Sequence, residues 1–194
     1  MLACVDDEVF CTEDGDPCTA DTCRGGSCQH ASAGGGDCQA LAGPFQRMLS
    51  LLALDDGLRD IVAAAAASAC PTLALSTSCA LVSGTGSPAP RLLALVDGAR
   101  ADLQAAVLGL GGRLPGASVA DAQLRARLAL GLFAGTPGKM RAFVATAAQA
   151  RGRRLIAPAF ARARQTEARA LLRATLRLRT DLRRILATRR SFAR

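Results

Sequence analysis

From about residue 43 onward, hydrophobic residues recur with a helical period and polar residues fill the positions between them. In the clearest stretch, steps of four and three residues alternate along one apolar face: Leu92, Val96, Ala99, Leu103, Ala106 and Leu110. Such alternation is typical of a coiled-coil-like seam, where one face of a helix packs against a neighbour. The pattern therefore predicts helices over most of the chain.

Glycine and proline residues predict where these helices begin and end. Pro44 suits a first helical position, and Pro71 favours a helix end near Cys70. Pro90 can open the next helix, which Gly111-Gly112 closes. The first two predicted helices cover residues 44–70 and 90–111, and the last covers about 159–188. Between them we expect a third helix of about 16 residues, capped by Ser118 and Asp121, and a fourth that starts at Gly135-Thr136-Pro137.

Composition agrees with a helical fold, because half of the residues are hydrophobic while only six are aromatic, all of them Phe. Alanine and leucine supply most of the rest, which favours close-packed helices over a β-sandwich. We expect a mainly α fold, an Ala/Leu-rich bundle of about four to five helices. The expected domains are a small disulfide-rich acidic module at residues 1–40 and a helical domain at 41–194, whose Arg-rich last helix covers about 159–190.

The N-terminal segment has almost no large hydrophobic residues and could not build an apolar core. It holds six of the eight cysteines: Cys4, Cys11, Cys18, Cys23, Cys28 and Cys38. An even number with irregular spacing favours disulfides, whereas zinc sites usually bring C-x2-C pairs. Six cysteines allow 15 pairings, so the connectivity stays open. Cys70 and Cys79 are expected to bond to each other and close a turn between helices, the alternative being two buried thiols.

Residues 11–30 read CTEDGDPCTADTCRGGSCQH. This stretch resembles the cysteine-rich repeat C-x-D-G-x-x-C-T-x-D-x-C-x-x-G-x-C-x-H of extracellular proteins from myxobacteria and their relatives. With the flanking cysteines the likeness covers residues 4–38, and one extra residue separates Cys11 from Asp14-Gly15. The resemblance implies secretion or exposure at the cell surface, and it implies no reaction.

Charge is distributed unevenly along the chain, whose formal net charge is +8. Residues 1–38 carry −7 and residues 151–194 carry +12. In the last predicted helix, Arg169, Arg173 and Arg177 stand four residues apart with Arg184 nearly in line, which makes them candidate anion-binding residues. The alternative is a solvated face, since a chain without Asn, Tyr or Trp and with a single Lys indicates a GC-rich genome, where Arg accumulates.

A basic tail suggests several partners: an acidic protein, anionic lipid or lipopolysaccharide. Nucleic acid is less favoured, because only Phe160 and Phe192 lie nearby for base stacking. The acidic N-terminal segment is itself a candidate partner for the tail within one molecule.

Sites for catalysis are mostly missing. His30 is the single histidine, so a catalytic triad or a His-based metal site has no second imidazole. The stretch Gly135 to Lys139 looks briefly like a phosphate-binding loop, but Met140 stands where a hydroxyl would hold magnesium. We expect a protein that is not an enzyme and uses no cofactor.

Acidic turns in the N-terminal segment raise the question of a metal. Asp14, Asp16 and Asp21 could bind calcium through carboxylate oxygens, although their spacing is not that of an EF-hand. The alternative is that these turns are simply solvated.

Disulfides make a secreted, surface-exposed or periplasmic binding or structural protein the primary hypothesis. The alternative is a basic helical protein that binds nucleic acid or an anionic membrane through its last helix. Met1-Leu2-Ala3 leads straight into Cys4 with no signal-like segment, so we expect the native N-terminus or a signal peptide to be missing from this sequence. No uninterrupted apolar window of membrane-spanning length occurs.

Overall fold

The computed structural model describes residues 19–24, 27–32, 36–71, 79–111 and 119–187. A hairpin precedes a set of helices, and the mainly helical fold predicted from the sequence is confirmed. The elements are β1 (Thr19–Arg24), β2 (Ser27–Ser32), α1 (Gly36–Ala67), α2 (Ala89–Gly111), α3 (Val119–Leu132), α4 (Thr136–Gly152) and α5 (Pro158–Ala187).

Four of the helices form a ring in which each packs against two neighbours. α1 packs against α2, α2 against α4, α4 against α5, and α5 against α1. The shorter α3 packs against α2, α5 and α1. Ion pairs between Arg59 and Asp97 and between Arg100 and Asp56 show that α1 and α2 run in opposite directions. The result is an antiparallel bundle with α2 and α5 on opposite sides.

The predicted seam of α2 forms the centre of this bundle. All six of its residues are completely buried: Leu92, Val96, Ala99, Leu103, Ala106 and Leu110. From α4, Met140, Phe143 and Ala147 are equally inaccessible. The alternating three- and four-residue period therefore identified the inner face of α2 correctly, and the buried positions of α4 follow the same period.

Helix α1 begins earlier than predicted. The prediction placed its start at Pro44, but Pro44 lies inside the helix, which begins at Gly36. Leu41 is 4% exposed and Phe45 is 5% exposed, so they continue the apolar face of Met48 toward the N-terminus. Burial of that extra turn offers a physical reason for the helix to continue upstream despite the missing amide of Pro44.

The inner face of α1 also differs from the prediction in its middle. In the sequence, Leu54 and Ile61 continue an apolar stripe with Phe45, Met48 and Leu58, which predicts that they point inward, but both are exposed. The buried positions are instead Leu51, Asp55, Leu58 and Val62, which keep the alternation of steps of four and three. An acidic residue therefore occupies a core position, which an apolar pattern could not reveal.

The end of the bundle where α1 meets α2 is closed by short bridges. Cys70 is bonded to Cys79, as predicted, with 5.8 Å between their Cα atoms. The Leu81 carbonyl accepts a hydrogen bond from the Cys70 amide at 2.9 Å, and Leu81 forms an antiparallel bridge with Ile156. These contacts tie the segment after α1 to the connection between α4 and α5, which fixes where α5 starts.

The N-terminal hairpin was not predicted. Its strands are antiparallel, with Cys23 opposite Cys28 and Asp21 opposite His30. Cys38 lies in the first turn of α1, inside the segment that was expected to end before the helix. Cys4, Cys11, Cys18, Asp14 and Asp16 lie outside the described residues, so their predicted disulfides and calcium site stay predictions.

Candidate anion-binding face of helix α5

Helix α5 separates its residue types sharply between two faces. The inner face packs into the bundle through Ala161, Gln165, Ala168, Leu171, Thr175, Leu178 and Leu182, which are all buried. Thr175 satisfies its hydroxyl by donating to the Leu171 carbonyl at 2.7 Å. With 3.6 residues per turn, the residues beside these positions, such as Leu172 and Arg179, are half-buried, and those farthest from them point away from the bundle.

The opposite face carries the arginines singled out from the sequence. Arg169, Arg173, Arg177 and Arg184 are all exposed, and Arg162 joins them on the same side of the helix. We call these five residues the outer row. It extends over about 22 residues, or roughly 33 Å of helix. The row therefore presents positive charge along most of α5.

Only Arg184 of the outer row has an acidic partner among the described residues, and the three consecutive arginines Arg169, Arg173 and Arg177 have none. Within the described part of the chain, no carboxylate lies within ion-pairing distance of Arg169, Arg173 or Arg177. Like charges four residues apart on a helix repel by about 0.2–0.5 kcal/mol per pair. The row is thus a slightly unfavourable arrangement that an anionic ligand would relieve.

On the opposite side of the bundle, charged side chains are paired between helices. Arg59 Nε lies 2.7 Å from Asp97 Oδ1, and Arg100 Nε lies 2.5 Å from Asp56 Oδ1. The hydrogen bond to Asp97 raises the pKa of Arg59. These pairs link α1 to α2, so their charges serve contacts within the protein.

Lys139, in the stretch that resembled a phosphate loop, also makes contacts within the fold. Its Nζ lies 2.6 Å from Asp102 Oδ2 and donates to the Gly98 carbonyl at 2.8 Å. A side chain at Gly98 would meet Lys139 Cε at 3.3 Å, so the glycine leaves room for the lysine stem. Lys139 therefore joins α4 to α2, and the interpretation of this stretch as a helix start is confirmed.

A groove lies at the C-terminal half of the outer row, where α5 meets α1. It has a volume of about 480 Å³ and is lined by Arg47, Ala174, Arg177, Thr180, Asp181 and Arg184. Arg47, from α1, donates to the Asp181 carboxylate. Arg184 Nη1 lies 3.5 Å from Asp181 Oδ1. The groove thus brings three arginines together, two of which contact the Asp181 carboxylate.

Sequence reasoning did not find Arg47 or Asp181 as members of this site. Arg47 is about 130 residues away from Arg177 in the chain and becomes its neighbour only through the antiparallel packing of α1 on α5. A charge pattern along one helix cannot predict a contribution from a second helix.

One buried carboxyl lies apart from these charges. Asp55 is completely buried, and neither of its oxygens has a hydrogen-bond partner. Burial, aided by the nearby carboxylate of Asp56, raises its pKa to about 7. Asp55 is therefore partly protonated near neutral pH, which lowers the cost of keeping a carboxyl group in the core.

The structure limits how the protein could meet a membrane or a metal. In the part of the chain that is described, none of the helices is long and apolar enough to cross a bilayer. The apolar face of α5 already packs into the bundle, so α5 cannot also insert that face into lipid without opening the core. Across the same residues, no group of three or more metal-ligating side chains comes together.

Comparison of the chain with protein-family models, with curated proteins and with solved structures finds no match in any of the three.

Proposed function

We propose that this protein is an exported, non-enzymatic binding protein that holds an anionic partner on the outer row of α5. In this proposal, disulfides stabilise the N-terminal segment and the helical bundle supplies a rigid support. The observation that carries the proposal is the set of three exposed arginines, Arg169, Arg173 and Arg177, without an acidic partner among the described residues.

Binding fits the chemistry of the row better than catalysis does. A guanidinium group stays protonated at any physiological pH and has five N–H donors but no lone pair for a proton or an electrophile. Such groups attract and orient oxyanions without acting as a nucleophile or general base. A row of them on one helix face therefore suits a binding surface.

The same row also supports the alternative of a nucleic-acid or anionic-membrane partner. Phosphate groups of either partner would bind arginine in a salt-dependent way. No aromatic side chain belongs to the outer row, so base stacking would add nothing to nucleic-acid affinity. A non-nucleic polyanion consequently remains the better fit.

Export is supported by the cysteine content and by the bond between Cys70 and Cys79. Intact-mass spectrometry of natively produced, unreduced protein tests it. Four disulfides from the eight cysteines should lower the mass by about 8 Da relative to the reduced chain. A mass equal to that of the fully reduced chain would contradict the proposed extracellular compartment.

Binding is tested with a fluorescently labelled heparin fragment at fixed low salt. Replacing Arg169, Arg173 and Arg177 together by Gln should weaken binding at least about tenfold, because three adjacent contacts are lost. The matched control replaces three exposed arginines, one each from α2, α3 and α4, by Gln: Arg91, Arg127 and Arg141.

Both triple variants lose the same net charge, so the comparison separates position from charge. The proposal requires the control to bind within about twofold of the unmodified protein. Equal losses in the two variants would show that overall charge, and not the outer row, governs binding.

A further inference from the structure

The groove between α1 and α5 differs from the rest of the outer row because two of its three arginines contact a carboxylate. Asp181 is only 22% exposed, and its two oxygens contact arginines from two different helices, Arg47 and Arg184. A guanidinium group that one carboxylate already holds loses less freedom when it binds a second anion. By contrast, Arg169 and Arg173 extend into solvent without such a contact.

The residues that line the groove carry more positive than negative charge. They include three arginines, Arg47, Arg177 and Arg184, and one carboxylate, Asp181. A guanidinium group has five N–H donors, so the contact with Asp181 uses only part of those of Arg47, and Arg177 makes no ion pair with a described carboxylate. The planar fork of each suits the oxygen atoms of a phosphate or sulfate group. The groove can therefore accept an oxyanion without giving up its internal contacts.

We propose that this groove is a subsite for a phosphate or sulfate group of an acidic polysaccharide that lies along the outer row. The proposal rests on the proposed function of the row, and it adds Arg47 as a ligand-contacting residue and Asp181 as a positioning residue. Arg177 and Arg184 belong to both the row and the groove, so one extended ligand can occupy both.

Three features favour a polysaccharide over the other polyanions. The volume of 480 Å³ exceeds that of one oxyanion, so it leaves room for the sugar that carries the group. The residues that line the groove include no aromatic ring on which a nucleotide base could stack. The groove also lies along the side of the bundle, where no apolar face of α5 is left to enter a bilayer.

The test compares three single variants in binding to a sulfated heparin fragment: Arg47→Gln, Asp181→Asn and Arg169→Gln. If the groove is a subsite, Arg47→Gln weakens binding at least about fivefold, whereas Arg169→Gln weakens it about twofold. Asp181→Asn is the sharpest variant, because it removes a negative charge. Simple electrostatics predicts tighter binding for it, whereas loss of positioning predicts binding about threefold weaker.

Arg47→Lys serves as the conservative variant, since it keeps the charge without the planar fork. It should recover only part of the affinity that Arg47→Gln loses. Circular dichroism and urea unfolding of each variant establish that the bundle is intact. If the Asp181→Asn protein does not fold, the comparison of Arg47→Gln with Arg47→Lys decides whether the groove binds the ligand.

The possible results distinguish a failure of the groove proposal from a failure of the proposed function of the outer row. Equal effects of Arg47→Gln and Arg169→Gln, with tighter binding by Asp181→Asn, would overturn the groove while leaving the outer row in place. No effect of any variant, including the triple variant of the row, would overturn the proposed function itself. Tighter binding to oligothymidylate or to vesicles of anionic phospholipid than to the heparin fragment would overturn the polysaccharide assignment.

Discussion

The interface between α1 and α2 and the outer face of α5 both carry arginines, but in opposite arrangements. At the interface, Arg59 and Arg100 each contact an aspartate of the neighbouring helix within 2.7 Å. On α5, Arg169 and Arg173 have no such partner among the described residues. The comparison teaches that the number of arginines says little by itself. Pairing across helices identifies charges that serve the fold, and the proposed ligand is expected to bind arginines of the outer row that have no such pair.

The largest expected change in stability comes from comparing substitutions on the two faces of α5. Leu171, on the inner face, is 1% exposed, and Arg173 lies two residues away on the outer face. Leu171→Ala should lower the free energy of unfolding by about 2–5 kcal/mol, because it leaves a cavity in the bundle. Arg173→Ala should change it by less than about 0.5 kcal/mol.

Urea denaturation followed by circular dichroism measures both values. Similar losses in the two variants would mean that the outer face also contributes to the fold, and the division between the faces of α5 would then be wrong.

The next effect concerns Asp55, the buried neighbour of the paired Asp56. The pKa of Asp55 is raised from 3.8 to about 7 in the folded protein. Between these values the folded state keeps a proton that the unfolded state has lost, so this residue makes the protein less stable as the pH rises from about 4 to about 7. Asp55→Asn removes that ionisation while keeping the side-chain shape.

At pH 8 the Asp55→Asn protein should be more stable than the unmodified chain by about 2–4 kcal/mol, with the difference vanishing near pH 4. Urea midpoints across this pH range test the prediction. Asp102→Asn provides the control, because Asp102 is paired with Lys139, is not among the charges that act on Asp55, and its loss should not stabilise the protein. A stability difference that does not depend on pH would contradict the raised pKa of Asp55.

The smallest expected change in stability comes from comparing the removal of a paired cation with the removal of an unpaired one. Lys139→Met removes the contacts to Asp102 and to the Gly98 carbonyl and should destabilise the protein by about 1–2 kcal/mol. Arg173→Met should be neutral or slightly stabilising, because repulsion along the outer row falls.

A double-mutant cycle of Lys139→Met with Asp102→Asn isolates the contribution of the Lys139–Asp102 pair. A coupling energy near zero would show that this contact does not hold α4 to α2.

Much of the helical part of the fold could be predicted from the sequence because glycine and proline mark its boundaries. The last helix was expected at about 159–188 and is found at Pro158–Ala187. Pro44 misled the same reasoning, since proline favours the first turn of a helix but the burial of Leu41 extends α1 upstream. The hairpin was missed although Gly25-Gly26, between two strand-like runs, is a known turn signal.

The candidate site could be predicted only in part, for a physical reason. A row of arginines on one helix follows from the 3.6-residue period alone, so Arg169, Arg173, Arg177 and Arg184 were identifiable. The contribution of Arg47 depends on which helices pack together, and so does the lack of an acidic partner for Arg169, Arg173 and Arg177 among the described residues; several packings share the same apolar pattern. Asp55 was missed for a related reason, because nothing in the sequence indicates that a polar residue on an apolar helix face is buried.

The salt dependence of binding tests the central claim most directly. Affinity for the heparin fragment is measured between about 50 and 200 mM salt for the unmodified chain, the Arg169/Arg173/Arg177→Gln variant and the Arg91/Arg127/Arg141→Gln variant. If the outer row contacts the ligand, its variant should lose up to about three units of the slope of log affinity against log salt, while the control keeps the original slope. An unchanged slope for the outer-row variant would contradict the assignment of α5 as the binding face.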